Sequence, residues 1–161
     1  MAVLIILGVL FLRIHGRIED KKIIESNTSF FHELPFIGLD SSLIDVTLSD
    51  QSTLLILFSS ECSVCEREAS DIRRCIKNFA SSEILMVSTE PLKKIDDFAS
   101  SSGLKGYSEV TFAHIHPEVA YSYFGAYSVP SIFIYDEQRK LKKRFTGETK
   151  AETLLKYLDK E

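Results

Sequence analysis

Leu54-Leu55-Ile56-Leu57-Phe58-Ser59-Ser60-Glu61-Cys62-Ser63-Val64-Cys65 is the stretch that decides how this chain folds. An apolar run without polar alternation, preceded by the turn residues Asp50-Gln51-Ser52, describes a strand covered on both faces. Polar residues then lead into Cys62, and from Cys62 to about Ala80 the pattern is helical. Val64, Ala69, Ile72, Ile76 and Phe79 form an apolar stripe, with Glu66, Arg67, Arg73, Arg74 and Lys77 elsewhere. A CxxC pair where a central strand turns into a helix is placed for thiol chemistry. Free N–H groups and the dipole at the helix N-terminus stabilise an anion at Cys62. Cys65, one turn in, lies nearer the interior and keeps a high pKa. Cys62 is therefore the expected attacking thiol, and Cys65 resolves the mixed disulfide. Glu61 works against an anion at Cys62, because a neighbouring carboxylate disfavours a second negative charge. That points to reductase-like or isomerase-like exchange instead of strong oxidation.

Composition narrows the classes. The 161 residues suffice for one domain with a real core, and 45% hydrophobic with 26% charged residues is a globular balance. The net charge of −4 leaves no basic field to hold a phosphate backbone, which argues against a nucleic-acid partner. Three cysteines are too few for a disulfide scaffold. Without a second CxxC, the pair also lacks the full ligand set of a structural zinc site. A purely structural disulfide remains the alternative to redox exchange.

Residues 1–14 carry the apolar run Ala2 to Leu12. It is too short to span a bilayer, which takes about 20 residues, but matches the apolar stretch of a signal sequence, roughly 7–15. Arg13 and Arg17 follow it, and no small-residue cleavage site does. It is read as an uncleaved, truncated membrane anchor, with a hydrophobic helix packed on the domain as the alternative. Residues 15–33 read as a polar linker and 34–161 as one domain. Within it, Asp45 to Ser49 alternates as a half-buried strand, and Ile84 to Ser88 is a second apolar strand. Pro91 opens a helix through Phe98, ended by Gly103 or Gly106. Val110 to Ala113 is a short strand. Glu118 to Phe124 is a short helix stopped by Gly125. Ser131 to Tyr135 and Leu141 to Phe145 form a hairpin, and Lys150 to Leu158 a closing amphipathic helix. The order predicts an α/β fold with a mixed sheet, parallel first and antiparallel at the end.

Four features together resemble the thioredoxin-fold thiol–disulfide oxidoreductases, in layout the bacterial TlpA/ResA type. They are the strand-to-helix Cys62-Ser63-Val64-Cys65; the acid Glu68; Gly125-Ala126-Tyr127-Ser128-Val129-Pro130-Ser131 ahead of the hairpin; and the strand–hairpin–strand–Gly–helix ending. The similarity spans roughly residues 34–160. Three positions depart from it: Glu61 replaces the usual Trp, Val64 and Ser70 occupy places where Pro is usual, and Ile56 stands where thioredoxins proper carry a buried Asp. A specialised partner is expected, not a general thioredoxin.

The resemblance implies a thioredoxin fold, a mixed central sheet flanked by helices. It implies that Glu68 relays the proton Cys65 must lose; a solvated helix glutamate is the alternative. It implies a cis Pro130 facing the cysteine pair, with Val129 offering its backbone to the substrate chain as an added strand. Expected partners are protein thiols and disulfides and a dithiol electron donor, for a monomer tethered in the bacterial cell envelope and facing the periplasm, or alternatively cytoplasmic. No cofactor or metal is implied. Cys75 is read as a small buried hydrophobe, with a regulatory thiol as the alternative. His114 and His116, spaced to face one way on a strand, are read as surface or loop histidines; copper binding with the CxxC pair is the alternative. Tyr121, Tyr123, Phe124 and Tyr127 are read as core aromatics ahead of Pro130. Two other functions stay open. A peroxiredoxin-like peroxide reductase needs Pro and Thr ahead of its cysteine, where Ser59, Ser60 and Glu61 stand. A non-enzymatic thioredoxin-fold binding module needs only the fold.

Overall fold

The chain was analysed as a computed structural model, which describes residues 13, 15, 16, 19, 21–46, 50–125 and 127–158. The apolar run 2–12 and residues 47–49 of the strand expected at 45–49 lie outside them.

The apolar run after Asp50 forms β3 (Ser52–Leu57), buried at every position. It pairs parallel with β4 (Ser82–Ser88), which pairs parallel with β5 (Val110–His114). On its other side β3 pairs antiparallel with β6 (Ser131–Tyr135), and β6 with β7 (Leu141–Thr146). Beyond β5 lie β1 (Phe36–Gly38) and β2 (Leu43–Ile44), both antiparallel to their neighbours. The sheet order is β2-β1-β5-β4-β3-β6-β7. The expectation of an antiparallel end is met at β6–β7. The other end is antiparallel as well, which the sequence reading had not included.

Alternation along the strands sorts the core onto two faces. Leu54, Ile56, Ile84, Met86, Ile132 and Ile134 face α2 (Ser63–Arg74), α3 (Leu92–Ser101) and α5 (Ala151–Leu158). Leu55, Leu57, Leu85, Val87, Phe133 and Tyr135 face α4 (Pro117–Phe124) together with Phe31 and Phe36. Full burial of each such side chain is worth about 1.5–3 kcal/mol, so covering both faces is what makes β3 the centre of the domain.

The helix expected to run to Ala80 stops at Arg74. At Cys75 the backbone bonds tighten: Cys75 N–H donates to Ile72 O at 3.0 Å and Asn78 N–H to Cys75 O at 2.8 Å. A 3₁₀ turn, Ile76–Phe79, follows. Its period of about three keeps Ile76 and Phe79 facing inward, so the apolar stripe survives the change of helix type.

Part of the stretch read as linker is packed into the domain. A helix over residues 21–28, α1, leads into Phe31, which is 1% exposed in the core. Phe31 N–H donates to Arg139 O at 2.7 Å, and Leu141 N–H donates to Ser29 O at 2.9 Å. The Tyr123 hydroxyl donates to Phe30 O at 2.8 Å.

Candidate active site at the start of α2

β3 delivers the chain to the site already fixed. Just past the strand, Phe58 N–H still donates to Val87 O at 2.9 Å. The next residues close a turn, Cys62 N–H donating to Ser59 O at 3.2 Å, and Glu66 N–H donates to Cys62 O at 3.1 Å to start the helix. Cys62 is thus the N-cap of α2, with extended φ −97° and ψ 106°. Its sulfur does what a capping oxygen does: it accepts the free Cys65 N–H at 3.3 Å. On its other side the Cys62 thiol donates to Val129 O at 3.7 Å. The Val129–Pro130 peptide bond is cis. Cys62, Cys65 and Val129, three of the residues singled out in the sequence, therefore meet at one helix start, with Pro130 next to Val129 in the chain and Glu68 further along α2.

The two thiols differ in surroundings. Cys62 is half-buried and Cys65 is 1% exposed beneath it. Burial pushes the Cys65 thiol up to about 12; the Cys62 sulfur and the Glu68 carboxylate act in the same direction, and a hydrogen bond with the Ser59 backbone opposes them. Glu68 lies one turn further along α2 and is 0% exposed. Its Oε2 accepts Thr149 N–H at 2.7 Å, from the segment that leads into α5. Oε1 is buried and has no hydrogen-bond partner. Burial raises this carboxyl to about 7, with Glu148 and Asp71 adding to the effect and the Thr149 N–H opposing it. A group so placed can take or give a proton near neutral pH.

The environment of Glu61 departs from the sequence reading, which left its charge unanswered. Lys94 from α3 lies 2.5 Å from Glu61 Oε1 and 3.9 Å from Glu90. The hydrogen bond and charge of Lys94 hold the Glu61 carboxyl below its usual range. Glu90 itself went unnoticed in the sequence. Its carboxylate accepts Ser60 N–H at 2.6 Å and the Ser60 hydroxyl at 3.0 Å. The only signal for it was an acid beside Pro91, which reads equally as an ordinary helix-start carboxylate.

The two histidines are not brought together on a strand face. His114 ends β5 with Nδ1 2.9 Å from Glu90 O, while His116 is the N-cap of α4 and accepts Glu118 N–H at 3.4 Å. Among the described residues, no group of three or more His, Cys, Asp or Glu side chains is arranged to hold a metal ion. Cys75 is half-buried at the end of α2. Of the aromatic cluster, Tyr123 and Phe124 are core residues and Tyr121 is exposed.

A mixed sheet with α2, α3 and α5 on one face, a CxxC pair at the central strand–helix junction and a cis proline before the hairpin constitute a thioredoxin fold, and this chain has that fold. No protein-family model matches the sequence, and no curated protein matches it. Solved structures do. StoA from Bacillus subtilis has a TM-score of 0.65 at 15% identity, over 81% of this chain and 99% of that one. A secreted disulfide oxidoreductase from Mycobacterium tuberculosis has a TM-score of 0.65 at 14% identity, over 83% and 97%. The peroxidoxin BcpB from the same organism has a TM-score of 0.65 at 20% identity, over 80% and 93%.

Proposed function

We propose that the chain is a thiol–disulfide oxidoreductase of the TlpA/ResA-like kind that reduces disulfides of protein partners. The observation that carries this reading is the placing of the Cys62 sulfur. It sits at the N-cap of α2, takes the Cys65 N–H, and faces the backbone carbonyl beside a cis proline. The Cys62 thiolate attacks a substrate disulfide; one substrate sulfur leaves and is protonated, and a mixed disulfide forms. Cys65 gives its proton to Glu68 and attacks the Cys62 sulfur. The second substrate thiol leaves, and the enzyme retains a Cys62–Cys65 disulfide. A dithiol protein then returns the two electrons. Val129 and Pro130 hold the substrate chain extended beside Cys62. Burial of Cys65 supports the relay role of Glu68, since a thiol raised to about 12 requires a proton acceptor. The reaction uses no organic cofactor or metal.

Fold likeness to a peroxidoxin favours peroxide reduction as a second reading. Insulin reduction driven by dithiothreitol, run beside hydrogen peroxide consumption, separates the two. We expect turnover of insulin by the wild type and none above background by Cys62→Ser. Equal insulin reduction by both proteins would leave a binding module with the fold alone. Peroxide turnover without insulin reduction would favour the peroxidase. We place the protein in the bacterial cell envelope, held by the apolar run 2–12. Among the described residues no helix is long and apolar enough to cross a membrane. Fractionation of cells tests the placement, with recovery in the membrane fraction expected and a purely soluble cytoplasmic pool contradicting it.

A further inference from the structure

We propose that Glu90 is a positioning residue for Cys62, and that it acts through acceptor geometry and not through its charge. The inference rests on the thiol-exchange reading above. The turn from Ser59 to Cys62 has Ser60 and Glu61 at its centre, and Cys62 can cap α2 only while that turn is closed. Glu90 holds it from outside. One carboxylate oxygen accepts Ser60 N–H at 2.6 Å and the other accepts the Ser60 hydroxyl at 3.0 Å. These two hydrogen bonds hold a turn of only a few residues, so the loss of one frees it.

Glu90 is itself fixed before it reaches the turn. The Ser88 hydroxyl donates to its Oε2 at 3.2 Å, its own N–H lies 3.2 Å from Ser88 Oγ, and His114 Nδ1 lies 2.9 Å from its carbonyl oxygen. The ends of β4 and β5 thus brace the start of α2. Pro91 caps α3 without a side-chain hydrogen bond, and the contact of the carboxylate with that helix is the longer one to Lys94 at 3.9 Å. Glu90 is not a solvated surface charge, its side chain being 19% exposed. A negative charge at this place is the wrong sign to favour a thiolate, and Lys94 lies 3.9 Å from it and 2.5 Å from Glu61. What remains for Glu90 to contribute is two oxygens at the right reach.

Geometry and charge make opposite demands on two conservative variants. Glu90→Gln keeps the reach, its amide oxygen accepting Ser60 N–H and its amide nitrogen donating to the Ser60 hydroxyl, but loses the charge. Glu90→Asp keeps the charge but falls one methylene short of Ser60. The probe is iodoacetamide alkylation of the reduced full chain, with Cys62 followed separately from Cys65 and Cys75 by peptide mass spectrometry. We expect Glu90→Gln to react at Cys62 within about twofold of wild type, and Glu90→Asp and Glu90→Ala about tenfold more slowly, the loss of one hydrogen bond. Glu90→Asp reacting at or above the wild-type rate overturns the inference, as does Glu90→Gln reacting as slowly as Glu90→Asp. If Glu90→Ala does not fold, the Gln–Asp contrast decides alone. Alkylation requires no turnover, so a wild type that fails to reduce insulin would sink the enzymatic reading without deciding this one.

Discussion

Glu68 carries two consequences that can be measured apart. Its carboxyl is raised from 4.5 to about 7, chiefly by burial. The folded state therefore binds its proton more tightly than the unfolded chain does. Stability from this group is fully present below about pH 4.5 and is lost as pH rises through about 7. The whole change is worth about 3 kcal/mol. We expect urea unfolding of the wild type to show this decline, and Glu68→Gln to lack it; parallel pH profiles for the two would show that Glu68 is not buried as an acid. In the proposed reaction the same substitution removes the proton acceptor assigned to Cys65. It should slow release from a trapped mixed disulfide at pH 7 by about 10²-fold, the usual contribution of a positioned base. Unchanged resolution would end the relay role. Glu68 was singled out because the resemblance has an acid three residues after the second cysteine; the local pattern alone left a solvated helix glutamate equally open. Glu90 and Lys94 were not, because they reach the site from the β4–α3 connection and from α3, beside the neighbouring strand, and no local spacing records such a contact.

At the scale of elements, α2 and α5 are joined by carboxylates that serve helix starts. Asp71 Oδ2 accepts Ala151 N–H at 2.8 Å, three residues along from the acid that accepts Thr149 N–H. One of the otherwise orphaned donors at the start of α5, and one in the segment leading into it, are thereby satisfied from another helix. Asp71→Ala should cost about 1–2 kcal/mol in urea denaturation, the worth of a lost cap. A change below a few tenths would show that water replaces the bond freely. The longer elements were readable: β3, β4 and the β6–β7 hairpin have runs of apolar or alternating residues, and α5 has its stripe of Leu154, Leu155 and Leu158. β1 and β2, at three and two residues, are too short to show a period. The break at Cys75 was hidden because a 3₁₀ turn preserves the inward spacing of Ile76 and Phe79.

Over the whole molecule, the segment before the domain is part of its second core face. Phe31 packs against Phe36 and Tyr135, with ring centroids 6.3 Å and 5.0 Å away. Phe31→Ala should destabilise by about 3–5 kcal/mol and lower Tm by roughly 10 °C. A shift of a degree or two would return residues 15–33 to the status of a tether. Polar neighbours disguised this stretch as a linker, and only the pair Phe30-Phe31 hinted otherwise. The fold itself was legible because two distant motifs, Cys62–Cys65 and Val129-Pro130, converge only in this topology; the cover over the α4 face was not, since one buried ring leaves no periodic trace. What the assembled site is for turns on the thiol couple. The reduction potential of Cys62–Cys65, measured in the full chain by equilibration with dithiothreitol and mass spectrometry, tests this most directly. We expect a reversible two-electron couple near −270 mV, the range of a reductase. A value near −120 mV, or no intramolecular disulfide at all, would contradict it.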